Sequence, residues 1–130
     1  MKTRTLISSG TKWEPVVGYS RAVRVGPHVH VSGTTAVDDA GQLVGRGDSY
    51  AQTAFILKKI EKALTDAGAT LAQVTRTRMF VTDISMFEAI GKAHGEVFSG
   101  IRPASTMVEV RALVEADMLV EIEADAFIEP

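Results

Sequence analysis

The stretch Val120-Glu121-Ile122-Glu123-Ala124-Asp125-Ala126 alternates apolar and acidic residues without interruption. Successive side chains of a strand point to opposite faces. This segment therefore reads as a strand with Val120, Ile122, Ala124 and Ala126 on a buried face and three acids on the other. A helix would scatter the same apolar residues around its circumference. A slip of one residue would bury the acids, so the pairing register is strongly constrained. The strand is expected over residues 119–128. Residues 105–113, which include Ser105-Thr106-Met107-Val108-Glu109-Val110, are expected to form the strand before it.

Upstream, residues 2–7 can supply a short edge strand. Residues 20–25 and 28–33 form a hairpin through Gly26-Pro27, with Val29 and Val31 on one face and His28, His30 and Ser32 on the other. Residues 34–47 read as a loop, with a small ribbon turning at Asp38-Asp39-Ala40-Gly41. A helix runs from about Ser49 to Ala67, with Ser49 and Gln52 in a capping-box pattern and Gly68 as the stop. Its apolar stripe is Ile56, Ile60, Ala63, Leu64 and Ala67. Residues 74–82 form a strand. A second helix starts at Ser85, with Glu88 as its capping partner and Phe87, Ile90, His94 and Val97 on one face.

That order describes an α+β fold: a two-layer sandwich of a mixed six-stranded sheet with two helices on one face. The second sheet face is expected to carry Ala22, Thr77, Met79, Met107, Leu113, Leu119 and Phe127. So apolar a face implies burial against copies of the same chain.

Residues 1–130 are the length of one domain, with an ordinary apolar share of 45%. There is no cysteine, which excludes disulfides, thiolate metal sites and a cysteine nucleophile, and suits a reducing cytoplasm. The net charge is −2 and no block of basic residues stands out, which disfavours a nucleic-acid partner. The longest apolar run, Ala54-Phe55-Ile56-Leu57, is far too short to cross a bilayer, and no signal-peptide core follows Met1-Lys2-Thr3-Arg4.

Taken alone, most polar candidates have ordinary readings. Glu121 is one of three acids on a strand face that water could solvate. Ser105, Thr106 and nearby backbone N–H groups could hold an anion or a carbonyl oxygen, or simply bond to backbone at the start of a strand. A serine nucleophile lacks an evident His/Asp arrangement. His28 and His30 share a strand face, but no third ligand is evident, so no metal site is assigned. His94 falls on the apolar stripe of the second helix, as a satisfied core or rim histidine does. Arg46-Gly47-Asp48 matches an adhesion tripeptide, yet Asp48 or Ser49 serves equally well as a helix cap. Trp13 either stacks on a ligand or anchors the N-terminal segment to a neighbouring subunit; the anchor is the simpler reading.

An ordered set of short motifs covers nearly the whole chain. It comprises Val17-Gly18-Tyr19-Ser20, Val31-Ser32-Gly33, Phe80-Val81-Thr82-Asp83, Pro103-Ala104, Val108-Glu109-Val110 and Val120-Glu121-Ile122-Glu123-Ala124. In order and spacing it resembles the YjgF/RidA family of reactive-intermediate deaminases. The resemblance implies chorismate-mutase-like subunits in a cytoplasmic homotrimer, with sheets packed into a central barrel and a small-molecule cleft at each interface. It also implies hydrolysis of an imine or enamine to a carbonyl and ammonia without a cofactor. Glu121 falls at the family's water-orienting glutamate, and Tyr19, Ser32 and Gly33 match cleft positions.

The resemblance fails at the family's signature arginine, which grips the substrate carboxylate. That position is Ser105, and a hydroxyl does not replace a planar guanidinium fork. A family asparagine falls at Gly91. Arg102 is the natural substitute, though alternation puts it opposite Ser105 unless Pro103 turns the chain. It could equally pair with a structural carboxylate. The expected substrate-binding set is thus Tyr19, Ser32, Gly33, Arg102, Ser105, Thr106 and Met107, with Glu121 catalytic. Weak or no activity is expected on simple 2-imino acids. The alternatives are a non-catalytic metabolite-binding trimer and an endoribonuclease or translation inhibitor.

Overall fold

The computed structural model describes residues 4–130. Its strands are β1 (Arg4–Ile7), β2 (Ala22–Val25), β3 (His28–Thr34), β4 (Val74–Val81), β5 (Ala104–Glu109) and β6 (Val120–Phe127). Its long helices are α1 (Ser49–Asp66) and α2 (Phe87–Phe98). The strands form one mixed sheet in the order β1-β2-β3-β6-β4-β5, antiparallel throughout except for the β4/β5 pair. Of the edge strand expected over 2–7, residues 2 and 3 lie outside the described residues. The 105–113 strand ends earlier than expected, at Glu109.

The alternation in β6 holds. Val120, Ile122 and Ala124 are fully buried, while Glu121, Glu123 and Asp125 turn to the opposite face. On the covered side they meet Val29 and Val31 of β3, Ile56, Ile60 and Leu64 of α1, and Ile90 and Phe98 of α2. The α1 stripe is buried as expected. On α2 the buried positions are Ile90, Ala93 and Phe98, and Phe87 is exposed.

The face assignment of several residues needs correction. Ala22 pairs with Val31, Thr77 with Ala124 and Met79 with Ile122, so all three lie on the helix-covered face. Met107 follows Met79 onto that face. The open face instead carries Val23, His30, Arg78, Phe80 and the β6 acids, with Phe127 at its edge. Cross-strand partners share a face, so pairing register decides what local alternation leaves open. Arg78 bridges Glu123 and Asp125 there at 3.3 and 3.1 Å, which gives those acids a cationic partner.

Both helix starts also differ from the sequence motifs. Asp48 is the cap of α1, its carboxylate accepting from the Ala51 N–H at 3.0 Å. In the second motif Ser85 falls within a short 3₁₀ turn, Ile84–Met86, capped by Asp83, while Glu88 lies in the first turn of α2, which begins after it. Gly68 does end the first helix, at φ 88°, with Ala69 N–H returning to the Leu64 carbonyl.

Freed from a capping role, Gln52 is fully buried and ties the loop layer to the sheet. Its Nε2 donates to the Gly45 and Asp117 carbonyls at 3.1 and 3.0 Å, and its Oε1 accepts from the Leu119 N–H at 2.9 Å. Gln52→Leu would leave the Asp117 carbonyl and the Leu119 N–H without partners, while the Gly45 carbonyl keeps the Asp48 N–H. The expected loss is at least about 2 kcal/mol, read from the urea unfolding midpoint.

Candidate functional site

The regular ladder between β3 and β6 breaks between Val31 and Thr34, where the register shifts through Ser32 and Gly33. Such bulges re-aim side chains and often stand beside sites. Ser32 donates through Oγ to the Ser20 carbonyl at 2.6 Å, and its N–H donates to the Arg21 carbonyl at 3.0 Å. Gly33 lies directly against Glu121: a Cβ at position 33 would fall 2.2 Å from Glu121 Oε2. Only glycine lets that carboxylate approach so closely.

Glu121 is half-buried. Burial pushes its carboxyl above the ordinary value, the Arg21 charge pulls against that, and Glu123 adds to the rise. Tyr19 and Ser32 help line a shallow cavity of about 430 Å³ whose other walls include Glu14, Pro15, Gly18 and Ser20. Glu14 opens a π-helical turn, Glu14–Gly18, and accepts from the Ser9 N–H at 3.1 Å. Tyr19, Ser32, Gly33 and Glu121 are thus gathered at one end of β2, β3 and β6.

Arg21 is the residue that sequence reasoning missed. It reads as a polar residue starting a hairpin strand, yet it is only 8% exposed. The signal available was an arginine between Tyr19-Ser20 and the Ala22 strand, which carries no meaning until three segments close over it.

The remaining candidates lie elsewhere. Ser105, Thr106 and Met107 belong to β5, at the far edge of the sheet from β1. Ser105 pairs with Thr77 on the helix-covered side, whereas Glu121 pairs with Phe80 on the open side. One chain therefore does not bring Ser105 and Glu121 together. Arg102 is exposed in the turn after α2, at φ 61°, the left-handed region that non-glycine residues seldom occupy. It makes no ion pair among the described residues.

Other sequence features are absorbed locally. His30 Nδ1 meets Asp125 at 2.9 Å, while the His28 ring packs edge-on against Phe127. Within Arg46-Gly47-Asp48, Arg46 pairs with Asp117 and Asp48 caps α1. Trp13 stays half-exposed under the Lys12 ammonium, 4.9 Å from its ring centre. No helix among the described residues is long and apolar enough to cross a membrane.

The family model described as Endoribonuclease L-PSP matches residues 9–128. The chain belongs to this family, also known as YjgF/RidA. It is 34% identical to the 3-aminoacrylate deaminase RutC of Acinetobacter baylyi over 128 residues, covering 98% of this chain and all of that one. An uncharacterized protein of Streptomyces coelicolor, SCO2049, is 35% identical over 93% of this chain and 90% of its own length. The crystal structure of Rv2704 from Mycobacterium tuberculosis, a member of the YjgF/YER057c/UK114 family, superposes with a TM-score of 0.87 at 53% identity. That match covers 96% of this chain and 99% of Rv2704.

Against this family background, Ser105 has specific company. Its hydroxyl lies 2.8 Å from Thr77 Oγ1, and Thr77 Oγ1 lies 2.9 Å from His94 Nε2. Thr77 is fully buried, and the His94 ring packs 4.7 Å from Phe98. His94 is thus a satisfied rim residue that also reaches Ser105 through one hydroxyl.

Burial holds the His94 imidazole below its ordinary value of 6.5. The unfolded chain then binds this proton more readily than the folded one. The stability so contributed is complete above the unfolded value and is lost as pH falls below it. On acidifying from about pH 7.5 to about pH 5, the wild type should lose more Tm than His94→Gln, as read by thermal melts across that range.

Proposed function

We propose that this chain is a cofactor-independent deaminase that hydrolyses a reactive imine or enamine in clefts between the subunits of a homotrimer. One observation carries the reading. Glu121 is half-buried against a glycine that leaves its carboxylate room, and its proton affinity is raised by burial. A carboxylate so tuned can take a proton from water at near-neutral pH. The water oxygen bonds to the iminium carbon and gives a carbinolamine. Glu121 returns that proton to the carbinolamine nitrogen. The C–N bond breaks as the hydroxyl proton is lost to water, releasing ammonia and leaving a carbonyl. An enamine enters the same path after taking a proton from water at its β-carbon.

The arrangement of candidates supports a shared cleft. Tyr19, Ser32, Gly33 and Glu121 form one half at the β2–β3–β6 end. Arg102, in the turn before β5, and Ser105, Thr106 and Met107, on that free edge strand, form the other half, which a neighbouring copy could bring within reach. The 34%-identical RutC relative is named for deaminating 3-aminoacrylate, an enamine, and this agrees with the reaction class. With a hydroxyl at position 105, the cleft holds the substrate's polar end by neutral hydrogen bonds. Carboxylate-bearing 2-imino acids are then poor substrates.

Glu121→Gln should lower kcat by about 100-fold or more on any imine the wild type turns over, with the melting curve retained. The wild-type rate should rise with pH through a midpoint above the ordinary carboxylate value of 4.5, because the ionised form is the base. Ligand affinity without turnover in the wild type would instead make the cleft a binding site. Ser105→Arg should raise kcat/KM for 2-imino acids by about tenfold or more, and leave neutral imines unimproved; stopped-flow ammonia release reads both.

A further inference from the structure

We propose that Arg21 is the positioning residue of this site: it holds the β3 bulge by the Gly33 carbonyl and sets its guanidinium charge against Glu121. The inference rests on Glu121 being the base only for its meaning in turnover; the placement stands without it.

The geometry is over-determined. Arg21 N–H donates to the Ile7 carbonyl at 2.8 Å, and its own carbonyl accepts from Ser32 N–H at 3.0 Å, which fixes the backbone from both sides. The side chain then turns inward, and Nη2 donates to the Gly33 carbonyl at 2.7 Å. Backbone and side chain together grip consecutive residues of the bulge. The guanidinium carbon lies 5.7 Å from the Tyr19 ring centre. Arg21 therefore reaches Ser32 through its backbone and Gly33 and the Tyr19 ring through its side chain, and its charge acts on Glu121, which lies against Gly33.

This placement is costly. Arg21 Nε is buried and has no acceptor. A buried unsatisfied donor on a charged group needs an explanation beyond packing, since an aliphatic residue would fill the space without that penalty. The charges facing the guanidinium are Glu121 from β6, Glu14 from the β1–β2 connection, and Lys59 from α1 as a like charge. Glu123 faces Glu121 from the same strand. Burial alone would favour a protonated Glu121, and Arg21 opposes it. Almost wholly buried, Arg21 does not replace the missing carboxylate grip at position 105. It acts through Glu121 and Gly33.

Two NMR titrations of the full chain test this. In the wild type, the Arg21 Nε–H signal should move with the same midpoint as the Glu121 side-chain carboxyl carbon. In Arg21→Gln the Glu121 midpoint should move to higher pH, and in Arg21→Lys it should move less. An Arg21 Nε–H signal indifferent to Glu121, or a folded Arg21→Gln variant with the Glu121 midpoint unmoved, overturns the proposal. If Arg21→Gln does not fold, the wild-type titration decides. Where turnover is measurable, Arg21→Lys should lower kcat on the order of 10- to 100-fold with KM little changed. A rise in KM at constant kcat would mean that Arg21 grips substrate, and would also overturn the proposal. A wild type without deaminase activity but with coupled titrations would reject the deaminase reading and keep this one.

Discussion

β6 lies between β3 and β4, antiparallel to both, and its side-chain parity is imposed on each neighbour. Once Ile122 and Ala124 face the helices, so must Val31, Thr77 and Met79, because paired residues share a face. The helices then have one apolar surface to cover. The charged residues of β4 and β6 are driven to the open side, where Arg78 holds Glu123 and Asp125 together.

The candidate site arises where that regularity fails. A regular β3 would place a Cβ against its neighbour at every position. At the bulge, Gly33 has none, and the Glu121 carboxylate occupies the space. The result is an acid under two opposed influences, burial favouring its neutral form and Arg21 its charged form. Such a balance is unfavourable for stability and useful for proton transfer, a combination that marks functional sites more often than structural ones.

Elements with strong periodicity were legible residue by residue. The β6 alternation, the His28–Ser32 alternation and the Ile56–Leu64 stripe each carry enough apolar spacing to define a face locally. Short motifs were less reliable. Ser49/Gln52 and Ser85/Glu88 both satisfy the capping-box spacing, but Asp48 and Asp83 each cap the turn one or two residues earlier. The partners of Gln52 come from Gly45, Asp117 and Leu119, two of them more than sixty residues away in sequence. No local pattern encodes such a choice.

By itself the sequence determined the α+β order of elements, the buried face of β6 and the family, since these follow from periodicity and from motifs read in succession. Only the tertiary structure decided which face Thr77 and Met79 occupy, that Arg21 is buried, and that His94 reaches Ser105 through Thr77. Pairing register and burial are properties of segments brought together. A charged residue at the start of a strand looks solvated until the chain around it removes the water.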